Sequence, residues 1–265
     1  MSVYKNDSPI YLSQSVDSML SQTVAASEIV IVKDGPVSTE LNRTIDKYVK
    51  QNPDLFKVIQ LKKNGGLGNA LNEGLKNCSF ELVARMDADD ICFPDRCEKE
   101  LKLFEANDDL IICGGQTAEF VGCIENVVSH RKVPTKYEEI VKFSHRRSPF
   151  NHPTVMYKKN DILSIGGYPS SNRKEDLDLF LLCLSKGMYA LNLEDDVLFY
   201  RTSNDNYKRR KDKNNCKEFI RIIKKYYKNG YCSFKDYFVV YLGQHMFMWM
   251  PMFLVKFLDK KILRR

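Results

Sequence analysis

The sequence has no cysteine pair in C-x-x-C spacing, no low-complexity tract, one tryptophan and only four histidines. Without such pairs, zinc or disulfides are not expected, and the eight scattered cysteines are predicted to be free thiols, mostly buried, in a reducing cytosol. The first residues lack the apolar segment of a signal peptide, so none is expected. The 265 residues, 43% of them hydrophobic, can form one large α/β domain with an extension, or two small domains.

Charge is unevenly distributed along the chain. Residues 201–265 contain 17 Lys and Arg against 5 Asp and Glu, whereas residues 1–200 contain 24 against 29. An acidic body with a basic, aromatic tail indicates that the tail docks on an anionic surface, either phospholipid or nucleic acid. The alternative is a basic helix that is merely solvated.

The most informative stretch is R-M-D-A-D-D, residues 85–90. It follows an apolar run, residues 80–84, which predicts a buried strand of a mainly parallel sheet. Carboxylates that follow such a strand emerge at the edge where open α/β sheets bind ligands. Asp87 and Asp89 share one face of an extended chain and repel each other unless a cation lies between them. Mg²⁺ or Mn²⁺ fits this pattern, although D-x-D by itself is also common in solvated turns.

A glycine-rich turn at residues 62–72 opens a predicted helix. Its backbone amides, together with Lys62 and Lys63, suit a diphosphate or the ribose and base beside it. The spacing matches neither Walker A nor G-x-G-x-x-G, so a plain strand-to-helix turn is the alternative. Strand and helix patterns alternate through the first ninety residues, which predicts a parallel, doubly wound sheet.

Two later features complete the pattern. Glu175 and Asp176 begin a predicted helix, where the helix dipole alone would favour acidic residues. Residues 218–228 predict a basic amphipathic helix, and residues 237–258 form an aromatic, methionine-rich segment. The second segment is interrupted by polar residues and proline, so an in-plane interfacial segment fits it better than a membrane span, which remains the alternative.

Seven short motifs stand in a fixed order. They are residues 2–6 (SVYKN), 18–23 (SMLSQT), 31–35 (IVKDG), 64–68 (NGGLG), 85–90 (RMDADD), 166–168 (GGY) and 175–176 (ED). With these motifs the chain resembles a family 2 glycosyltransferase of the GT-A fold over roughly residues 2–205. The resemblance implies a GT-A nucleotide-diphospho-sugar transferase domain at 1–205 and a helical, membrane-associating extension at 206–265.

The resemblance also implies roles for individual residues. It assigns the metal, Mg²⁺ or Mn²⁺, to Asp89, with Asp87 on the ribose or a metal-bound water. It assigns the catalytic base to the acidic pair, with Asp176 preferred over Glu175. The residues expected to bind the nucleotide sugar are Tyr4, Asp34, Lys62, Asn64, Gly68, Arg85 and Asp87. Phosphate or acceptor contacts are expected from His152, Arg201 and Arg209, and a packed, hydrogen-bonded histidine is the alternative for the first of these.

The implied activity is metal-dependent, inverting transfer of one sugar from a nucleotide-diphosphate sugar, expected to be a UDP-sugar. The implied acceptor is a hydroxyl of a polyprenyl-diphosphate-linked saccharide in capsule, exopolysaccharide or O-antigen synthesis. The protein is then expected peripherally on the cytoplasmic face of the inner membrane, bound to its anionic surface and not to nucleic acid. The Q-x-x-R-W signature of processive synthases is missing, which favours one sugar per encounter. Family members usually carry more β-residues before Val3, so a truncated first strand is expected.

Two other interpretations belong to different classes. A sugar-1-phosphate nucleotidyltransferase needs a glycine-rich loop near its N-terminus, and residues 1–22 contain no glycine. An inactive homologue could serve as a binding or tethering module. The presence of Asp87, Asp89 and Asp176 argues against that interpretation.

Overall fold

The computed structural model describes residues 1–170, 173–203, 211–251 and 254. The first part alternates strands with helices: β1 (Ser2–Val3), α1 (Pro9–Leu20), β2 (Ile29–Lys33), α2 (Thr39–Gln51), β3 (Phe56–Gln60) and α3 (Leu67–Asn77). The three strands form a parallel sheet in the order β1-β2-β3, as predicted. Serine hydroxyls cap two of the helices, because Ser8 accepts from the amide of Tyr11 and Ser38 from that of Leu41.

A second, mixed sheet follows, with the strand order β4-β8-β6-β9-β5 and β7 paired to β6. Its strands are β4 (Leu82–Ala84), β5 (Ile91–Cys92), β6 (Leu110–Phe120), β7 (Val127–Arg131), β8 (Met156–Lys158) and β9 (Tyr189–Arg201). Only the β6–β9 pair is parallel, and the other pairs are antiparallel. The accompanying helices are α4 (Arg96–Ala106), α5 (Tyr137–Ser144), α6 (Lys159–Ser164) and α7 (Glu175–Ser185).

The prediction of a buried strand at residues 80–84 is wrong in direction and burial. β4 pairs antiparallel with β8, Leu82 and Val83 are only partly buried, Ala84 is exposed, and Phe80 before the strand is 52% exposed. A cavity of about 420 Å³ separates β4 from the start of β2, so the two sheets are not joined there. An apolar run indicates a strand but carries no information about the direction of its partner.

The long strands β6 and β9 correct a second prediction. The apolar pattern predicts two short strands in place of each, at 110–115 and 117–121 and at 188–193 and 197–200, whereas each pair is one continuous strand. Glycine interrupts the apolar pattern of β6 without interrupting the strand. A Cβ at Gly115 would lie 2.6 Å from a methyl carbon of Val197, and one at Gly114 would lie 2.6 Å from Oδ1 of Asn192. Glycine is therefore needed for the close approach of β9 to β6.

The described part of the tail forms two helices, α8 (Lys213–Lys228) and α9 (Phe234–Trp249). α8 packs against α7, which bears the acidic pair at its start, through one apolar cluster: Leu177, Leu181, Ile222, Ile223 and Tyr226. None of the helices in the described ranges has the length and hydropathy needed to cross a membrane. The division into 1–205 and 206–265 stays a prediction.

Candidate functional site

Residues 85–90 form the loop between β4 and β5, and a buried arginine organises it. The guanidinium of Arg85 is almost fully buried and donates through both terminal nitrogens to the carboxylate of Asp87, with Nη1 2.6 Å from Oδ2. The hydroxyl of Ser15 on α1 donates to the carbonyl of Asp87 at 2.8 Å. Through these contacts with Arg85 and Ser15, Asp87 helps to hold the loop in shape.

Three carboxylates converge in this loop. Oxygens of Asp87, Asp89 and Asp90 lie within 4.8 Å of one another. Desolvation and the charge of Asp87 raise the pKa of Asp89 to about 6, and burial with the same neighbour raises the pKa of Asp90 well above its ordinary value. Oδ2 of Asp90 is buried without a hydrogen-bond partner among the described residues. Crowded, partly unpaired carboxylate oxygens fit a hard divalent cation, so the donor set suits Mg²⁺ or Mn²⁺.

Asp7, which the motif analysis did not assign, interacts electrostatically with the carboxylates of this loop. It follows β1 and accepts from the amide of Tyr4 at 2.9 Å. Burial raises the pKa of Asp7 to about 6, and the charges of Asp89 and Asp87 add to this rise. The hydrogen bond from the amide of Tyr4 opposes it. The ring of Tyr4 is 40% exposed. Only the fold brings Asp7 to the loop, although its position just after the first motif was a signal.

Asp34 organises the glycine-rich turn. Its buried carboxylate accepts from the amides of Gly65 at 2.7 Å and Gly66 at 3.1 Å, and the side chain of Asn64 donates to its carbonyl at 3.3 Å. Gly66, the residue just before α3, has a φ of +88°, a conformation that favours glycine. Lys62 is exposed beside this turn. Asn64 and Lys62, which are predicted to bind the nucleotide, therefore lie in a turn whose shape is fixed by hydrogen bonds to Asp34.

The acidic pair lies against the glycine-rich turn. Glu175 and Asp176 begin α7, and a Cβ added at Gly68 would lie 3.2 Å from Cβ of Glu175. Burial and the charge of Asp176 raise the pKa of Glu175 to about 7. The charge of the Arg85 guanidinium opposes this rise in pKa, as it does at Asp89, so one buried cation acts on both acidic groups.

Arg201 braces the acidic loop. Its Nε donates to the carbonyl of Asp89 at 2.8 Å, its Nη2 to Oε1 of Gln14 at 2.6 Å, and its backbone amide to Oδ1 of Asp90 at 2.8 Å. The guanidinium also lies 3.9 Å from the ring centre of Tyr11. These bonds orient the guanidinium of Arg201 toward the backbone of the acidic loop. Its predicted phosphate contact stays a prediction, and Arg209 lies outside the described residues.

Two more polar side chains are buried in the core, and one of them contacts the acidic loop. His152 is buried, its Nε2 lies 3.0 Å from the hydroxyl of Tyr168, and burial lowers the pKa of His152 well below its ordinary value. These contacts favour the packed-histidine alternative. Arg96, not predicted, is fully buried and donates to the carbonyl of Arg85 at 2.8 Å and to Oε1 of Glu100 at 3.0 Å. The sequence feature that could have identified Arg96 is its opposite-charge pair with Glu100 at i, i+4, beside the apolar face of a predicted helix.

The sequence matches the family described as Glycosyl transferase family 2 over residues 1–166. It is 40% identical over 230 residues to an uncharacterized glycosyltransferase of Haemophilus influenzae, covering 87% of this chain and 85% of that protein. It is 34% identical over 265 residues to the UDP-Gal:alpha-D-GlcNAc-diphosphoundecaprenol beta-1,3-galactosyltransferase of Escherichia coli, covering 100% of this chain and 95% of that protein. An amylovoran biosynthesis glycosyltransferase of Erwinia amylovora is 34% identical over 84% of this chain and 83% of its own.

Solved structures share the fold. The mannosyltransferase PcManGT of Pyrobaculum calidifontis, in complex with GDP-Man and Mn²⁺, superposes with a TM-score of 0.67 at 14% identity, covering 92% of this chain and 68% of that one. GalNAc-T7 with UDP, GalNAc and Mn²⁺ also gives 0.67 at 14% identity, covering 98% and 53%. Both are GT-A glycosyltransferases, so the predicted fold class is confirmed. From its sequence, its fold and its relatives, the chain belongs to glycosyl transferase family 2 and is a glycosyltransferase.

Proposed function

We propose that the protein is a metal-dependent, inverting glycosyltransferase that moves one sugar from a UDP-sugar to a hydroxyl of a polyprenyl-diphosphate-linked saccharide. The observation that carries this proposal is the cluster of the Asp87, Asp89 and Asp90 carboxylates, together with a second acidic pair, Glu175–Asp176, that packs against the glycine-rich turn. One group of acids suits the leaving diphosphate with its cation, and the other suits proton removal from the acceptor.

On the donor side, Asp89 and Asp90 would hold Mg²⁺ or Mn²⁺, since Asp87 is already paired with Arg85. A divalent cation there supplies Lewis-acid stabilisation of the negative charge that develops on the diphosphate. The exposed ring of Tyr4 and the turn shaped by Asp34 offer surfaces for the base and ribose. Lys62, Asn64 and the backbone around Gly68 complete the proposed donor site.

On the acceptor side, Asp176 takes the proton of the attacking hydroxyl. A single displacement with one base inverts the configuration at the anomeric carbon, by the geometric argument that separates one-step from two-step glycosidases. Glu175 packs against Gly68 of the donor turn, where it would help to position the sugar. The other acidic residue of the pair is the alternative base, and paired substitutions distinguish the two.

The acceptor class rests on the Escherichia coli relative, whose name specifies a diphosphoundecaprenol acceptor and which aligns with the whole of this chain. A lipid-linked acceptor requires action at a membrane surface. We therefore propose that the protein works peripherally at the cytoplasmic face, with the basic tail toward anionic lipid. Roles in capsule, exopolysaccharide or O-antigen assembly belong to the same proposal, because relatives carry such names.

A donor panel tests this proposal. The protein is incubated with UDP-galactose, UDP-glucose, UDP-N-acetylglucosamine and GDP-mannose, with Mn²⁺ or with EDTA, and nucleotide release is measured with and without GlcNAc-diphosphoundecaprenol. The expected result is turnover of a UDP-sugar that needs both Mn²⁺ and the acceptor. Turnover of GDP-mannose alone, or equal rates in EDTA, would contradict the proposal. Asp46→Asn, which changes an exposed acid on α2, is the matched control for substitutions in the acidic loop.

A further inference from the structure

Helix α9 presents an apolar face to solvent. Along this helix only Val240 is fully buried among the hydrophobic residues. Five large side chains follow one another at helical spacing on the outer side: Phe234 (59% exposed), Phe238 (46%), Leu242 (44%), Met246 (66%) and Trp249 (73%). Residues spaced by three or four lie on one side of a helix, so these five form a continuous stripe, called here the apolar face. Contiguous exposed apolar area of this kind marks an interaction surface.

Basic residues accompany the apolar face. Lys235 is exposed on the same helix, and exposed lysines of the neighbouring α8 include Lys213, Lys217, Lys224 and Lys228. The ammonium of Lys213 lies 4.6 Å from the ring centre of Trp249, so cationic and apolar groups meet at one end of the face. Large apolar and aromatic side chains bordered by lysine are typical of helices that lie in the headgroup region of anionic bilayers.

The apolar face is fixed relative to the candidate active site. The hydroxyl of Tyr226 on α8 donates to Oδ1 of Asp178 on α7 at 2.9 Å, and the ammonium of Lys225 lies 2.8 Å from the same oxygen. α9 packs on α8 in the cluster that also includes Leu177 of α7. Asp178 is one turn from the Glu175–Asp176 pair. Whatever binds the apolar face is therefore held at a set distance from the proposed base.

We propose that the apolar face of α9 lies in the plane of an anionic phospholipid surface and holds the start of α7 beside a membrane-embedded acceptor. The second half of this statement rests on the proposed function. The helix has sixteen residues and is about 24 Å long at 1.5 Å per residue, shorter than the ~30 Å bilayer core, which fits an in-plane orientation. A second copy of the chain is a poorer occupant, because it would bring two lysine-rich borders together.

The first test is flotation of the full-length protein with vesicles of phosphatidylcholine, with or without phosphatidylglycerol. We expect binding to the anionic vesicles only, and partial release at about 1 M salt, where the Debye length is ~3 Å. The triple variant Leu242→Gln, Met246→Gln, Trp249→Gln should bind at least about tenfold more weakly, because large apolar side chains no longer leave water. Val128→Gln, an exposed apolar change on β7, is the matched control and should bind like the wild type.

Further outcomes decide the proposal. Unchanged melting temperature and unchanged donor binding by calorimetry would show that the triple variant folds. No binding of the wild type to anionic vesicles, or equal binding of the triple variant, would overturn the proposal. A wild-type dimer that the triple variant converts to monomer, without vesicle binding, would identify a self-association surface instead.

Acceptor length separates this proposal from the proposed function. The same saccharide diphosphate is supplied on undecaprenol in vesicles and on a short, water-soluble alkyl chain. The triple variant should transfer sugar to the soluble acceptor like the wild type and at least about tenfold more slowly to the vesicle acceptor. Equal losses on both acceptors would overturn the membrane role. Vesicle binding by a wild type that transfers to neither acceptor would contradict the proposed function and leave the membrane surface standing.

Discussion

Asp89→Asn should stabilise the metal-free protein while abolishing its turnover. Desolvation and the negative charge of Asp87 raise the pKa of Asp89 from 3.8 to about 6. At 1.36 kcal/mol per pKa unit the cost of ionising it in the folded state is at most about 3 kcal/mol. Because this side chain is exposed, solvent screening reduces the figure to about 1 kcal/mol. For a chain of this size that gain raises the melting temperature by roughly 2–4 °C.

The gain depends on pH with a definite sign. A carboxylate whose pKa is raised by folding binds more protons in the folded than in the unfolded state, so stability falls as pH rises between the two values. The difference between Asp89→Asn and wild type should therefore be near zero below about pH 4 and complete above about pH 6. Melting curves in EDTA at both ends of this range measure it.

Added Mn²⁺ reverses the order of stability. Binding to the folded state alone stabilises the wild type, whereas Asp89→Asn has lost a charged ligand and should gain little. The exposed control Asp46→Asn should follow the wild type throughout. The reasoning is refuted if Asp89→Asn melts below wild type in EDTA near neutral pH, or if Mn²⁺ raises both melting temperatures equally.

Three further predictions concern neighbouring side chains. Asp176→Asn should lower transfer by roughly 10²–10⁴-fold with near-normal donor binding by calorimetry; if it transfers normally while Glu175→Gln does not, the base is Glu175. Gly68→Ala places a Cβ 3.2 Å from that of Glu175, so it should lower kcat/KM by about tenfold with little change in melting temperature. Unchanged kinetics would contradict a role of this contact in catalysis. Arg201→Ala should weaken Mn²⁺ binding by about 10–100-fold, because the loop that carries Asp89 loses its supporting hydrogen bond. Arg201→Lys should not restore the affinity. A titration that shows unchanged Mn²⁺ affinity would make Arg201 merely structural.

Asp34, the glycine turn near Gly68, the acidic loop and Glu175 stand in four separate segments of the sequence. Asp34 and the glycine turn follow the neighbouring parallel strands β2 and β3, so their meeting at one edge of the first sheet follows from the strand pattern. The contact of Gly68 with Glu175 and the antiparallel pairing of the strand before the acidic loop do not follow from it. Each segment carries a local signal, either a glycine cluster or paired acids after an apolar run. Local signals of this kind survive without knowledge of the strand order.

The remaining contacts depend on long-range geometry that no local pattern encodes. Arg201 reaches Asp89 across 112 residues, and the bond from Arg96 to the carbonyl of Arg85 requires α4 to pack under the acidic loop. The strand directions in the second sheet and the half-exposure of β4 were likewise not predictable. Both depend on which elements lie beside a strand, and apolar periodicity does not encode those partners. Which side of α9 is exposed also depends on tertiary packing, because α8 covers the side of α9 opposite the apolar face.

The most direct test of the proposed reaction is the configuration of the new glycosidic bond. An α-linked UDP-sugar that the donor panel selects is supplied with GlcNAc-diphosphoundecaprenol and Mn²⁺, and the anomeric coupling constant of the released glycan is measured by NMR. We predict a β-linked product carrying one added sugar, formed with Mn²⁺ and absent with EDTA. An α-linked product, a product carrying several added sugars, or equal yield in EDTA would contradict the proposed metal-dependent, single-displacement transfer.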